Sequence, residues 1–199
     1  MKNRITVLCA VLLFIQFSVV SAQNWTTAQI EKANTAKNIE YLTTIEKECV
    51  LYINLCRLYP KDFIKNEVVN YYGTEKYGDY LKSSSYRQSL INLLNYMQPI
   101  EPLYFDGDAY KNAKCFAIEQ GKAGTTGHTR IACNDGNYAE CCSYGMDTGK
   151  DIVLQLLIDH DVPSLGHRIN CLNKAYTKVG VSVQKHSKYD TCAVIDMIW

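Results

Sequence analysis

Histidine is scarce in this 199-residue chain, and all four copies, His128, His160, His167 and His186, fall in the second half. His128 follows the glycines Gly121, Gly124 and Gly127, and Glu140 stands between Tyr138 and the Cys141-Cys142 pair. Asp159, His160 and Asp161 end an apolar stretch, and His167 follows Pro163-Ser164-Leu165-Gly166. Two imidazoles and two carboxylates brought together could bind a divalent ion, Zn2+ or another. The same groups could instead perform acid/base work, because a carboxylate beside an imidazole tunes both. Sequence order alone does not make them meet: a loop histidine is ordinarily a surface or hydrogen-bonded residue, and a carboxylate at a helix end ordinarily caps it. Other chemistry has less support. There is no G-x-S-x-G, H-E-x-x-H or P-loop. Ser143 and Ser164 lie near candidate histidines, but no motif frames either.

Nine cysteines are the most unusual count. Cys9 lies in a segment that reads as an address. Met1 to Arg4 is basic, Ile5 to Val20 is an apolar run of about 16 residues, and Val20-Ser21-Ala22 offers small residues for cleavage. Spanning a bilayer takes roughly 20 apolar residues, so residues 1–22 are expected to be a signal peptide and the protein secreted, or periplasmic in a Gram-negative source. Eight cysteines then remain: Cys49, Cys56, Cys115, Cys133, Cys141, Cys142, Cys171 and Cys192. An even count in an exported chain predicts a disulfide framework and argues against a spare nucleophilic thiol, while the lack of any C-x-x-C argues against a zinc–thiolate cluster. Sequence does not choose the pairing; closeness along the chain suggests Cys171 with Cys192, and Cys133 with Cys141 or Cys142. Asn24-Trp25-Thr26 is a glycosylation sequon, meaningful in a eukaryotic source. The formal charge is +1; without Lys2 and Arg4, 19 bases face 20 acids, a net of −1. No strong field favours nucleic acid or an anionic membrane.

The positioning elements follow from periodicity. Residues 23–39 are polar and read as a loose lead-in to one domain over 40–199. Leu42, Ile45, Cys49, Ile53 and Cys56 share a helix face that Pro60 closes. Residues 66–84 read as loop. Ser85 can cap a second helix with Leu90, Leu93, Leu94 and Met97 inward and Pro99 as its stop, and Asp106-Gly107-Asp108 can cap a third carrying Ala109, Ala113, Phe116 and Ala117. The glycines from Gly121 onward break the chain, and residues 129–149 read as a cysteine-pinned loop. Asp147 or Thr148 starts a fourth helix through Ile152, Val153, Leu156 and Leu157. Val179–Val183 and Cys192–Ile198 are β-branched runs joined by a turn, so the fold class is α+β or layered αβα.

The segment Ile152–Trp199 resembles the CAP superfamily (the SCP domain of cysteine-rich secretory, antigen five and pathogenesis-related proteins), and within it the bacterial-type secreted branch. The resemblance rests on Leu156-Leu157-Ile158-Asp159, then Val162-Pro163-Ser164-Leu165-Gly166-His167-Arg168-Ile169-Asn170, then Val179-Gly180-Val181, His186-x-x-Tyr189 and Cys192 to Asp196. Upstream, Ala139-Glu140-Cys141-Cys142-Ser143-Tyr144-Gly145 is similar to the family's G-E-N-I-x-x-G, Gly127-His128 to the preceding glycine-histidine, and Asn54-x-x-Arg57 to its N-x-x-R. The chain departs from the pattern at Ala139, at Cys141 in place of asparagine, and at Asp159, where many members carry glutamate. The resemblance implies a disulfide-stapled α-β-α sandwich and a cleft tetrad of His128, Glu140, Asp159 and His167 associated with divalent metal. It also implies lipid or sterol binding and, in some members, protease activity.

Two readings follow. One is a secreted binding module whose tetrad holds a cation and whose clefts take an apolar, sterol or cell-wall glycan ligand, with some of the fifteen tyrosines as amphipathic contact surfaces. The other is a protease-like hydrolase in which Glu140 is the general base and His128 and His167 hold the water. The sequence favours binding over catalysis. Arg168 and Asn170 are expected to orient the backbone around His167, and His186 and Tyr189 to shape a turn.

Overall fold

A computed structural model describes residues 25–199. The expected signal peptide and the sequon's Asn24 lie outside the described residues. The lead-in is not loose from residue 25 onward. Thr26 and Gln29 form a capping box that starts α1 (Thr27–Ala33), Trp25 donates to Glu67 Oε1 at 2.7 Å, and Ala33 and Ala36 are fully buried. Polar composition hid this helix, because its caps and its short buried alanines carry little hydrophobic signal.

The predicted helices form where caps and periodicity agree. Thr43 and Glu46 make a reciprocal capping box for α2 (Thr44–Leu58), which buries Cys49, Ile53 and Cys56. Pro60 does not merely end that helix: it opens α3 (Pro60–Phe63), where its missing N–H costs nothing, and a π-helical turn over Ile64–Val68 continues it. Ser84, one residue earlier than expected, caps α4 (Ser85–Tyr96). Leu90 and Leu94 point inward as predicted, but Leu93 is exposed. Asp106 caps α5 (Gly107–Ala123), which buries Ala109, Ala113, Phe116 and Ala117. Thr148 caps α6 (Gly149–Ile158), and a short α7 (Gly166–Cys171) follows it.

Four strands form one sheet in the order β1-β3-β4-β2: β1 (Tyr104–Phe105), β2 (Ala139–Tyr144), β3 (Lys178–His186) and β4 (Asp190–Ile198). β3 and β4 are the expected terminal pair. β2 was expected to be loop; it runs antiparallel to β4 from Ala139↔Met197 to Tyr144↔Cys192. Its sequence, AECCSY, lacks the β-branched run that marks β3 and β4. Alternation places Cys142 and Cys192 on one face, with Phe116 and Ala117 of α5, and Cys141, Ala193 and Ile195 on the other, in the larger core with α2 and α6. Helices therefore cover both faces, giving the αβα layering. Gly121 lies within α5 rather than ending it. A Cβ there would sit 2.0 Å from the Lys185 carbonyl oxygen, and one at Gly180 2.0 Å from the Tyr110 nitrogen. The two glycines let α5 lie directly on β3.

Asn54 and Arg57 are scaffold. Asn54 is fully buried and brackets Leu103 through both of its backbone groups, at 2.7 and 2.9 Å, which sets the chain into β1. The Arg57 guanidinium donates to the carbonyls of Glu101, Cys171, Asn173 and Tyr176, and burial lowers its pKa to about 10.

Candidate functional site

The site lies along β2, an edge strand of the sheet. On the α5 side, alternation aims Glu140, Cys142 and Tyr144 the same way. The preceding loop is tied down by three devices. Cys115 on α5 is disulfide-bonded to Cys133. Glu119 on α5 accepts from the N–H groups of Ile131, Ala132 and Cys133, which holds its carboxyl below the usual range. Gly127, at φ 96, donates to the Tyr144 hydroxyl at 2.9 Å, and its carbonyl accepts from Gln120 of α5. That left-handed backbone favours glycine and turns the next residue, His128, toward β2.

His128 Nδ1 lies 2.8 Å from Glu140 Oε1. This hydrogen bond raises the imidazole pKa, with burial opposing it. The other Glu140 oxygen accepts from Arg130, whose guanidinium sits 4.1 Å from the centre of the Phe116 ring. Beneath them, Asp196 pairs with Glu140 across the strands and is fully buried; both its carboxylate oxygens lack a hydrogen-bond partner. Burial first, and the Glu140 charge second, push Asp196 up to about 7 against the weaker pull of Arg130. Cys142 adds a thiol 3.9 Å from His128 Nδ1. The ligand-capable atoms of His128, Glu140 and Cys142 all lie within 4.8 Å of one another. Tetrahedral zinc with N, O and S donors needs separations of roughly 3.3–3.7 Å, so these three could close on an ion with small side-chain shifts.

The opposite wall is built from backbone. α6 ends in the left-handed conformation at Asp159, φ 56. The buried Asp159 carboxylate then accepts from the N–H groups of His167 at 3.0 Å and Arg168 at 3.2 Å, starting α7, while its other oxygen lies 2.7 Å from His167 Nδ1. Arg168 fastens the same corner through the carbonyls of Leu157, Ile158 and Tyr86 and the hydroxyl of Ser89. Asn170 donates to the Glu140 carbonyl at 3.3 Å. Arg168 thus fastens the corner that carries His167, and Asn170 ties α7 to β2.

The four tetrad residues thus converge as two His–carboxylate pairs whose rings stand 6.3 Å apart. In the tautomer that carries its proton on Nδ1, each ring gives that N–H to its carboxylate and keeps the Nε2 lone pair free, the arrangement of an oriented metal ligand. His160 does not join them: its ring turns to α4, 3.0 Å from Ser84 Oγ and between Tyr80 and Tyr86. His186 shapes the β3–β4 turn by donating to the Thr125 carbonyl and accepting from the N–H groups of Lys188 and Tyr189.

Between the walls opens a cleft of about 670 Å³ lined by both tetrad histidines, Cys142, Gln155, Met146 and the tyrosines Tyr77, Tyr80, Tyr144 and Tyr189. A second pocket of about 270 Å³ adjoins it and reaches Leu156, Ile158 and Asp159. Sequence reasoning missed Arg130, although it is the sole arginine between Arg87 and Arg168 and lies two residues from His128. It also assigned Cys142 only to a disulfide. Cys142 is instead a free thiol in this cleft, and burial, then the Glu140 charge, raises its pKa well above the ordinary value. A protonated thiol is a poor nucleophile. Cys133 bonds to Cys115 rather than to Cys141 or Cys142, and Cys171 packs on the opposite face of the sheet from Cys192.

Among the described residues, no helix is long and apolar enough to cross a membrane. No curated protein matches the sequence. Among solved structures, an outer surface protein of Borrelia burgdorferi is similar over 56% of this chain and 86% of its own, at 22% identity and a TM-score of 0.40. The family model of the cysteine-rich secretory proteins, CAP, matches residues 66–197, from within the π-helical turn before α4 almost to the end of β4 and so including the whole cleft tetrad. The chain belongs to the CAP family.

Proposed function

We propose that this protein is an extracellular binding module whose cleft holds a divalent cation between the His128–Glu140 and Asp159–His167 pairs and takes an amphipathic ligand beside it. One observation carries the reading: two imidazoles, each oriented by its own carboxylate, face one cleft with their rings 6.3 Å apart. Imidazole, carboxylate and the neighbouring Cys142 thiol are a donor set suited to zinc and poor for calcium, which prefers oxygen ligands throughout. When bound, the cation would supply an electrophilic anchor for an oxygen or anionic group of the ligand. The chain itself orients both rings and offers four tyrosines whose faces are apolar and whose hydroxyls are polar. That mixture suits a sterol or the pyranose rings of a cell-wall glycan.

Binding is preferred over hydrolysis because Glu140, the general base the hydrolase reading needs, is engaged by both Arg130 and His128. With both oxygens already hydrogen-bonded, neither is free to take a proton from a water. Calorimetric titration with zinc tests the cation, using the parent beside His128→Ala and His167→Ala. One-to-one binding, lost in both variants, is expected; no binding by the parent removes the cation from the reading. A sterol and soluble cell-wall oligosaccharides, each added with and without zinc, should raise the thermal midpoint if the cleft takes them.

A further inference from the structure

Cys141 and Cys142 are neighbours in sequence but face opposite sides of β2, so they belong to different thiol groups. Cys142 shares its face with Cys192, while Cys141 enters the larger core with Cys49, Cys56 and Cys171. Within that core Cys141 lies beside Cys171, the last residue of α7, and Cys171 also neighbours Cys49 and Cys56. Two further contacts hold α7 against β2 at the same place. The Cys141 thiol reaches the His167 carbonyl at 3.8 Å, and Asn170 donates to the carbonyl of Glu140, one residue before Cys141. Both residues are fully buried and both thiols are free in the structure, while the Cys115–Cys133 bond shows that this chain carries disulfides.

We propose that Cys141 and Cys171 are the site of a second disulfide, formed in an oxidising compartment, which ties Glu140's strand to His167's helix. The bond would join the two walls of the cleft covalently. It would do so one residue from one tetrad carboxylate and four from one tetrad histidine. Because both residues are sealed in the folded core, where no oxidant reaches them, oxidation precedes final packing. The oxidant is a small disulfide such as glutathione disulfide. One protein thiolate attacks it to give a mixed disulfide and one glutathione thiol. The second protein thiolate then displaces the other glutathione. The protein loses two electrons and two thiol hydrogens, and both end on two glutathione thiols.

The test refolds the full reduced chain in a glutathione redox buffer, alkylates remaining thiols, and maps unreduced peptides by mass spectrometry. The parent is run beside Cys142→Ser, which removes the ambiguity of adjacent cysteines. A peptide pair linking Cys141 to Cys171, with Cys49 and Cys56 alkylated, is the expected result. Alkylation of both Cys141 and Cys171 in protein that carries the Cys115–Cys133 bond overturns the proposal, and so does a bond from Cys171 to Cys56. The closed loop of about 30 residues predicts that this bond adds about 10 °C to the thermal midpoint, beyond what Cys115–Cys133 contributes, when the bonded parent is compared with the same protein reduced. Cys171→Ala should shrink that reductant-dependent difference to whatever the Cys115–Cys133 bond contributes; an undiminished difference also counts against the pairing.

Discussion

The two walls of the cleft present the same chemical unit, an imidazole held by a carboxylate, and build it in different ways. Asp159 is fixed by main chain: two backbone N–H groups and a left-handed helix end hold it, and it is itself the start of α7. Glu140 is fixed by side chains: His128, Arg130 and, beneath them, an Asp196 with no hydrogen-bond partner. Backbone donors cannot rotate away, so the Asp159 wall is rigid and structural. The Glu140 wall depends on the charge balance of a cluster that also borders solvent, with the His128 side chain 56% exposed against 21% for His167. The tuneable half of the site is therefore the loop–β2 half.

The largest expected effect breaks the backbone-held wall. Asp159→Ala removes three accepted hydrogen bonds, takes the compensating charge from the buried Arg168 and leaves an alanine at positive φ. Denaturant unfolding should show a loss of about 3–5 kcal/mol; a loss below about 1 kcal/mol would mean α7 does not depend on this carboxylate. Next comes a contrast in cation affinity. Glu140→Gln should weaken zinc by about 10–100-fold through mis-orientation of His128. In the same calorimetric titration, zinc affinity should also fall as pH drops through the raised pKa of His128, because a protonated ring cannot ligate. Unchanged affinity in Glu140→Gln would place the ion elsewhere.

A smaller effect sharpens the picture of the cluster under Glu140. Asp196 titrates near 7 when folded against an ordinary value of 3.8. Its protonated form is the one the fold prefers, so its contribution to stability is complete below about 3.8 and is lost as pH rises through about 7. Asp196→Asn stays neutral throughout. Its thermal midpoint should exceed that of the parent by a few degrees at pH 8, with the gap closing toward pH 4. A gap independent of pH would show that burial of this charge is not what costs stability. The smallest effect on stability is that of His128→Ala, which should stay within about 0.5 kcal/mol of the parent while abolishing zinc binding, because this side chain is 56% exposed and Arg130 still holds Glu140.

Parts of the molecule were legible before any coordinates because their signals are local. The capping residues Asp106 and Thr148 and the apolar spacing of α2, α5 and α6 recur in the structure, as do the β-branched runs of β3 and β4. β2 and α7 were not legible. β2 is a strand because β4 offers it a hydrogen-bonding partner, not because AECCSY favours extension. α7 begins where Asp159, seven residues before its first position, supplies the missing acceptor.

The sequence by itself determined the inventory: a cysteine-rich chain, helices followed by a terminal strand pair, and the four tetrad residues, which the family resemblance singled out from an otherwise ordinary set of histidines and acids. Tertiary structure alone decided how those groups are used. It made the two acids orienters of imidazoles, brought Arg130 and Cys142 into the site, and sent His160 away to Ser84. It also sorted adjacent Cys141 and Cys142 onto opposite faces of one strand. The physical reason is range. Caps, turns and periodicity act over a few residues and can be read along the chain. Ion pairs, metal-ligand geometry and thiol contacts depend on which strands and helices come together, and that is settled by the burial of the whole core.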